Sequence, residues 1–406
     1  MSLTDTVGDL NVVLTALAFT GGCLAAGYRY GLFSGRKPLL ARLQDANNDL
    51  AEKGRLIADL EGQVRQPISN QVSQCAPDIP PESVQVWLRE IATADATLAT
   101  QRGKLPILLV ANLKGGVAKT MVAANLAAYF ARRNNYPATQ ALSNKRVLLI
   151  DLDYQGSLSR MTLSAMGAIG PLNPRSHADA LLRADVSDDE AFALRVSGSS
   201  ALPNLSFFPA TYGFDDFETR EQFAWLTNSS PDDVRFRLLK RLRSPAFENN
   251  FDLVIIDTGP RLTLGSVNAL VAATHLIIPT ASDTRSIEAV ALFLRRVSTM
   301  KRGQLGGANP VRLCPHLQVL GVLPTLTGGI AAQVALQEDA AAKLKTVVGA
   351  DADLRALIAP GQLLLSAELP RSQPMQKAAE STIPYLETGA IRRTINEIGA
   401  EIEKRM

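Results

Sequence analysis

The chain has 406 residues, of which 46% are hydrophobic and 20% charged, so it is too long for a single small core and can form one large domain with attached segments. Its 42 basic and 39 acidic residues give a net charge of only +3. Bulk electrostatics therefore do not mark the protein as a nucleic-acid binder, and any such surface must be local.

The cysteine and histidine residues show no metal-binding pattern. Cys23, Cys75 and Cys314 are far apart, and the three histidines form no partner set. A sparse, odd number of cysteines is typical of a reducing compartment rather than of a disulfide-bonded scaffold. We therefore expect a cytosolic working environment and no zinc site.

The first predicted element is a membrane anchor in residues 1–35. Residues 11–28 carry no charge and lie between Asp9 and Arg29. A helix of this length reaches about 27 Å, close to the hydrocarbon thickness of a bilayer. A cleaved signal peptide and a buried core helix are the alternatives, but a signal peptide has a basic leader, whereas only acidic residues precede this segment. Basic residues follow it, so we expect a single-pass span in the cytoplasmic (inner) membrane with the rest of the chain in the cytoplasm.

Residues 36–66 predict a helical stem. Apolar residues recur at spacings of three and four from Leu39 to Val64, over about four heptads. This pattern favours a coiled coil that pairs two chains, with a single amphipathic helix lying on its own domain as the alternative. Residues 67–103 begin with a proline-rich polar linker and end in a predicted helix that packs onto the domain formed by residues 104–406.

Residues 105–132 predict a buried strand, a glycine loop and an alanine-rich helix. Gly115 and Gly116 permit a tight turn whose N–H groups face phosphate oxygens at the positive end of the helix. Lys119 would contact the β- and γ-phosphates, and the Thr120 hydroxyl would hold Mg²⁺. The order of buried strand, glycine loop and helix predicts a nucleotide-binding loop. The alternative is a plain Gly-Gly turn with incidental lysines.

Two further apolar stretches end in acidic residues. The first ends at Asp151 and Asp153, and the second at Asp257. Ligands of open α/β sheets bind at the carboxyl ends of the strands, and a carboxylate there can hold Mg²⁺ through water. The sequence therefore predicts an α/β fold.

The loop KGGVAKT, residues 114–120, resembles the deviant Walker A loop of the ParA/MinD family of P-loop ATPases. Residues 151–157 are similar to that family's switch segment, and the strand ending at Asp257 to its Walker B strand. The resemblance covers about residues 105–400. It implies a P-loop NTPase fold of the deviant Walker A class, with a mostly parallel twisted sheet flanked by helices, preceded here by the transmembrane helix and helical stem.

The resemblance also implies ATP and Mg²⁺ as ligands and slow, partner-stimulated ATP hydrolysis. Asp153 would orient the attacking water, and Thr120, Asp151 and Asp257 would hold the metal. Lys114, Lys119 and Asp153 form the expected catalytic set. The residues expected to bind the nucleotide are Lys114, Gly115, Gly116, Val117, Ala118, Lys119, Thr120, Met121, Pro324, Thr325 and Pro370.

Lys114 lies five residues before Lys119 and is poorly placed to duplicate it on the same nucleotide. We expect it to point outward. In the resembled family, the equivalent lysine crosses a two-fold interface to the nucleotide of the partner chain. The resemblance thus implies a homodimer with sandwiched ATP, in which loss of the γ-phosphate also breaks the contact between the chains.

These expectations combine into a membrane-anchored ATPase that acts as an ATP-dependent dimerisation switch. It would position or regulate an unidentified partner complex, or DNA, at the cytoplasmic membrane face. Basic clusters at residues 240–243, 295–296 and 301–302 could form a patch for non-specific DNA or anionic lipid, although a solvated face is the commoner origin of such clusters.

Two other functions remain open from the sequence. A bacterial tyrosine autokinase also joins a membrane segment to a related P-loop domain, but its tail of clustered tyrosines is missing after Tyr385. A nucleotide-gated scaffold with negligible hydrolysis is favoured by Ala118, Tyr154 and Gly259, which depart from the family pattern. The isoleucines of residues 391–402 share one helical face, which favours a core-packing helix over a membrane-targeting one.

Overall fold

The computed structural model describes residues 86–89, 93–132, 145–168, 172–281, 283–303, 312–328, 331–358, 363–387 and 389–406. The predicted membrane span, stem and proline-rich linker lie outside these residues. The described residues belong to the second of two units of the chain, Pro80–Met406. In the described ranges no helix has the length and apolar character needed to cross a bilayer. The domain boundaries given above stay a prediction.

The centre of the domain is a seven-stranded sheet with the order β3-β2-β4-β1-β5-β6-β7. Every pairing between these strands is parallel. Strands covered on both faces need apolar residues on both, which explains the unbroken apolar runs in the sequence. The predicted α/β fold with a mostly parallel sheet is confirmed. The strands are β1 (Ile107–Val110), β2 (Val147–Leu152), β3 (Leu205–Phe208), β4 (Leu253–Thr258), β5 (His275–Ala281), β6 (Gln318–Thr327) and β7 (Leu369–Pro370).

Helices cover both faces of the sheet. Short 3₁₀ helices lie at Val86–Leu88, Ala178–Leu181, Val234–Phe236 and Pro384–Leu386. The α-helices are α1 (Thr93–Thr100), α2 (Lys119–Arg132), α3 (Ser157–Ala165), α4 (Asp188–Ala193), α5 (Phe214–Leu226), α6 (Arg237–Leu242), α7 (Pro245–Glu248), α8 (Leu264–Ala272), α9 (Thr284–Arg302), α10 (Ala331–Ala350), α11 (Ala352–Leu357), α12 (Gln373–Ala379) and α13 (Ala390–Arg405).

Successive residues of each strand contribute to separate hydrophobic cores. Leu109 belongs to the core beneath α5, α6, α8 and α9, whereas Leu108 belongs to the core beneath α2, α3 and α13. The C-terminal helix α13 buries Ile395, Ile398 and Ile402 in the second core. The predicted core-packing role of this helix is therefore confirmed.

The segment before β1 is anchored to the domain through aromatic and arginine side chains. Trp87 stacks on Trp225 of α5 with ring centroids 5.7 Å apart. The fully buried Arg235 donates hydrogen bonds to the carbonyls of Trp87 at 2.6 Å and of Arg89 at 2.9 Å. Arg89 in turn donates to the Leu226 carbonyl at the end of α5, at 3.2 Å. Residues 86–89 thus pack onto the domain, as predicted for this part of the segment.

Candidate nucleotide-binding site

The loop between β1 and α2 has the shape of an anion-binding cradle. Gly116 and Ala118 both have positive φ, at 72° and 62°. A Cβ at Gly115 or Gly116 would meet no atom within 4 Å, so the glycine at 116 serves backbone conformation rather than space. Ala118 adopts the left-handed conformation at a cost of about 1 kcal/mol. This backbone geometry explains why glycine is the usual residue at that position.

Neighbouring strands hold the loop at both ends. The buried Asn112 side chain donates to the Pro279 carbonyl at 2.9 Å and accepts from the Lys114 backbone N–H at 3.0 Å. The Thr325 hydroxyl, fully buried on β6, donates to the Val117 carbonyl at 3.1 Å. Thr325 was predicted to bind the nucleotide, but it lies behind the loop and supports it.

Lys119 begins α2 beneath the loop. It is only 7% exposed, and its Nζ donates to the Lys114 carbonyl at 2.9 Å. Burial lowers the pKa of this lysine, while Asp257 and Asp153 act in the opposite direction because both carboxylates favour the charged amine. The loop therefore contains a desolvated lysine on which two carboxylates, Asp257 and Asp153, act electrostatically.

Asp257, at the carboxyl end of β4, is a buried carboxylate without a partner. It is fully buried, and neither of its oxygens has a hydrogen-bond partner among the described residues. Burial raises the pKa of Asp257 well above its usual range, and the neighbouring Asp151 raises it further. The Thr120 hydroxyl lies near without a hydrogen bond of normal geometry, and acts with Lys119 to lower the pKa. An unpaired buried carboxylate is costly, and a hydrated Mg²⁺ would supply the missing partner.

Asp151 lies beside Asp257 in the register of β2 and β4, and it is also fully buried. Its oxygens, however, accept hydrogen bonds from the backbone N–H of Asp153 at 3.0 Å, and from the N–H and hydroxyl of Ser159 at 2.9 and 2.6 Å. Burial raises its pKa to about 7 despite these bonds. The predicted metal contact of Asp151 stays a prediction, and its bonds favour a role in holding the loop after β2.

Asp153 lines the cleft from that loop. Its Oδ1 accepts the backbone N–H of Gln155 at 3.1 Å, and the loop turns at Gly156 with φ 62°. A Cβ at Gly259 would lie 3.4 Å from Asp153 Oδ1. This is an ordinary contact distance, so Gly259 lies directly beside the Asp153 carboxylate.

The glycine loop, the start of α2 and Asp153 line a cleft of about 800 Å³, whereas Asp151 and Asp257 are not among its lining residues. This volume suits a ligand of nucleotide size. Among the predicted nucleotide-binding residues, those from Gly115 to Met121 and Pro370 line it, whereas Lys114, Pro324 and Thr325 do not. Side chains that were not among the predicted site residues also line the cleft: Gln155, Ser157, Arg160, Met161, Pro260, Leu326, Leu369, Arg371, Ser372, Met375, Gln376, Ala379 and Glu380.

Lys114 contacts its own chain beside the cleft. Its Nζ lies 3.2 Å from both carboxylate oxygens of Asp283 and 2.5 Å from the Ser286 hydroxyl. Asp283 is the N-cap of α9, where its side chain also accepts the Ser286 backbone N–H. Lys114 is thus held to α9 instead of pointing freely outward as expected, and its cross-subunit role stays a prediction.

The basic cluster at residues 240–243 does not form a free cationic patch. Lys240 pairs with Asp95 at 2.8 Å. Arg241 is buried and pairs with Asp188 at 2.6 Å, and Arg243 donates to the Leu98 carbonyl at 2.7 Å. In the cluster at residues 301–302, Lys301 donates to the Leu317 carbonyl at 2.7 Å and Arg302 pairs with Asp353. The charges of residues 240–243 therefore serve contacts within the chain, and the suggested patch for DNA or lipid stays a prediction.

Comparisons with known proteins agree with this geometry. A family model described as an AAA domain (AAA_31) matches residues 105–305. The chain is 30% identical over 201 residues to a Rhizobium rhizogenes protein that carries the name replication protein A, covering 49% of this chain and 46% of that protein. It therefore spans about half the length of that relative.

A second relative is the chromosome-partitioning ATPase Soj of Thermus thermophilus, 29% identical over 229 residues, which are 56% of this chain and 72% of Soj. Among solved structures, the ATP complex of a variant of Cyanothece McdA superposes with a TM-score of 0.55 at 19% identity, covering 74% of this chain and 98% of that one. At this identity the structural likeness concerns the fold.

Proposed function

We propose that this chain, a ParA/Soj-like P-loop ATPase by fold and sequence similarity, binds ATP with Mg²⁺ and hydrolyses it slowly to switch between paired and separate chains. In that role it positions or regulates a partner complex, or DNA, at the cytoplasmic face of a membrane. A relative that is named a chromosome-partitioning ATPase supports the ATPase part of this proposal.

One observation supports nucleotide binding above all others. A fully buried carboxylate, Asp257, has no hydrogen-bond partner in the described part of the chain and lies near the carboxyl end of β4, where Lys119 and Thr120 at the start of α2 act on its charge. A buried carboxylate without a hydrogen-bond partner is tolerated where a ligand supplies the partner. Thr120 and Asp257 would hold Mg²⁺, which neutralises phosphate charge when bound.

Other residues of the chain bind the phosphates and orient the attacking water. The N–H groups of residues 115–119 and the start of α2 bind phosphate oxygens. Lys119 exchanges its bond to the Lys114 carbonyl for a bond to the phosphates, which keeps its charge paired. Asp153 faces the cleft with one oxygen fixed by Gln155, and its second oxygen orients the attacking water.

Lys114 supplies the link between nucleotide and dimer. To reach a second chain it must leave Asp283 and Ser286, a contact that is largely solvent-screened because its side chain is 32% exposed. The gain from a desolvated phosphate contact exceeds that of an exposed ion pair. Closure of an ATP-loaded homodimer therefore compensates for release of the lysine.

The membrane location rests on the sequence of residues 11–28 and on the basic residues that follow them. Two anchored chains would hold their ATPase domains at high effective concentration. Such tethering favours a switch that acts at the membrane surface rather than one that diffuses through the cytoplasm.

The test uses the full chain in detergent. We expect Mg²⁺-dependent phosphate release, and ATP-dependent crosslinking of two chains that Lys114→Ala abolishes. Affinity capture with Asp153→Ala, which should retain ATP, would enrich the partner. Absence of adenine nucleotide uptake would overturn the proposal. Uptake without phosphate release would favour a nucleotide-gated scaffold, and incorporation of label into tyrosine would favour an autokinase.

A further inference from the structure

Glu218 is a buried carboxylate on the far side of the loop that follows Asp257. It is 5% exposed and lies in the middle of α5. Its Oε1 accepts the Thr263 hydroxyl at 2.7 Å and also the backbone N–H of Gly265. Thr263 is the N-cap of α8, so the carboxylate binds the first turn of this helix, where negative charge is favourable.

The position of the Glu218 carboxylate depends on the glycine at residue 265. A Cβ at Gly265 would lie 2.7 Å from Glu218 Oε1 and 3.1 Å from the ring of Phe214, one turn earlier on α5. A side chain at this position would therefore displace the Glu218 carboxylate. Glycine at residue 265 thus leaves the space that the Glu218 carboxylate occupies.

Residues 259–263 connect the contacts of Glu218 with Thr263 and Gly265 to the nucleotide site. The segment leaves β4 directly after Asp257 and Thr258, passes Gly259 beside Asp153, and lines the cleft at Pro260. It ends at Thr263, where Glu218 holds it. A second bond, from the Ser266 hydroxyl to the Arg261 carbonyl at 2.7 Å, closes the turn. The loop is therefore fixed at one end by the metal-binding strand and at the other by Glu218.

We propose that Glu218 is a positioning residue for ATP hydrolysis: by holding Thr263 and Gly265 it sets residues 259–263 against Asp153 and the cleft. This inference rests on the proposed ATPase function. Glu218 acts through the loop, so its loss should reduce turnover and leave nucleotide affinity nearly unchanged.

Titration of Glu218 gives a signature that a purely structural role lacks. Burial raises its pKa to about 7, while its bonds to Gly265 and Thr263 oppose the rise, so both bonds are stronger to the ionised form. The charged groups facing it are Asp215 on the same helix and Asp153 in the loop after β2. Because its folded pKa lies above the unfolded value, its contribution to folding stability is lost as pH rises through about 7, whereas its hold on the loop strengthens.

The test compares Glu218→Ala, Glu218→Gln and the matched control Glu221→Gln in the full chain. Glu221 lies on the same helix but accepts from Arg237 at 2.6 Å, away from the loop. We expect Glu218→Ala to lower turnover about tenfold with ATP affinity within about twofold of wild type. Glu218→Gln should be intermediate and should lack the rise in turnover that wild type and Glu221→Gln show through about pH 7.

A readout without nucleotide separates this inference from the function it rests on. Arg261 is exposed in the loop, so trypsin cleavage there reports how firmly the loop is held. Cleavage should be about tenfold faster in Glu218→Ala than in Glu221→Gln. Thr263→Val, which removes the hydroxyl that donates to Glu218 and that also caps α8, should act likewise if Glu218→Ala does not fold. Equal cleavage and equal turnover would overturn the inference, whereas absence of ATP uptake by the wild type would overturn the proposed function.

Discussion

Two aspartates lie side by side at the carboxyl edge of the sheet, but they differ in their hydrogen bonds. Asp151 on β2 and Asp257 on β4 are paired in register and equally buried. Asp151 accepts three hydrogen bonds from the chain, whereas Asp257 has no hydrogen-bond partner among the described residues. Burial alone is therefore not the mark of a ligand site, because a buried carboxylate with a full set of partners serves the fold. The unpartnered one is available to a ligand.

The largest effect should come from Asp257→Asn. We expect phosphate release to fall by about 100-fold or more, because the amide cannot balance the charge of a metal ion. In the absence of ligand, the same variant should be at least as stable as the wild type, since a costly buried carboxylate is replaced by a neutral group. Retained phosphate release, or clear loss of stability without ligand, would remove the distinction between the two aspartates.

Asp151→Asn should change stability in the opposite direction. The amide retains one acceptor, so at least one buried donor among Asp153 and Ser159 loses its partner, at a cost of about 1–3 kcal/mol. Chemical denaturation without nucleotide measures this directly. A stability equal to that of Asp257→Asn would show that the hydrogen bonds of Asp151 contribute nothing, and the comparison would fail.

A smaller effect is expected from Ser159→Ala. The Ser159 hydroxyl donates to Asp151 and accepts the Ala210 N–H at 2.8 Å, so it joins the ends of β2 and β3. Its removal should cost about 1–2 kcal/mol of unfolding free energy. Ser164→Ala is the control on the same helix, because Ser164 bonds an exposed carbonyl of Ser381 and should matter less. Equal losses in the two variants would refute a special role for Ser159.

The smallest effect on stability should come from a third aspartate, the exposed Asp283. Asp283→Asn breaks the ion pair with Lys114 while an amide oxygen can keep the N-cap bond to the Ser286 N–H, and exposed pairs contribute about 0–1 kcal/mol. The released lysine should nevertheless increase ATP-dependent crosslinking of two chains, by a few-fold, relative to wild type. Unchanged crosslinking would indicate that the contact with α9 does not restrain Lys114.

Much of this site was predictable because its signals are local. The apolar runs, the two glycines before Lys119 and the acidic residues that end strands specify β1, β2, β4 and the loop from neighbouring residues alone. The sheet then brings Asp151 and Asp257 together, because the ends of parallel strands meet at one edge.

The other features depend on tertiary contacts that no local pattern encodes. The sequence predicts that Thr325 binds the nucleotide, but this residue is buried and its hydroxyl donates to the Val117 carbonyl behind the loop. The sequence predicts Arg241 on the surface, in a solvated face or a basic patch, but the residue is buried and pairs with Asp188. Glu218 was missed because an acid in a helix rich in charges resembles a solvated residue until α8 covers it.

Calorimetric titration of ATP into the full chain, with and without Mg²⁺, tests the central claim most directly. If Asp257 is kept unpartnered for a metal-bound nucleotide, the wild type should bind ATP more tightly with Mg²⁺, and Asp257→Asn should lose that difference while keeping its fold. Failure of the wild type to take up ATP, or an equal response to Mg²⁺ in the two proteins, would contradict the account.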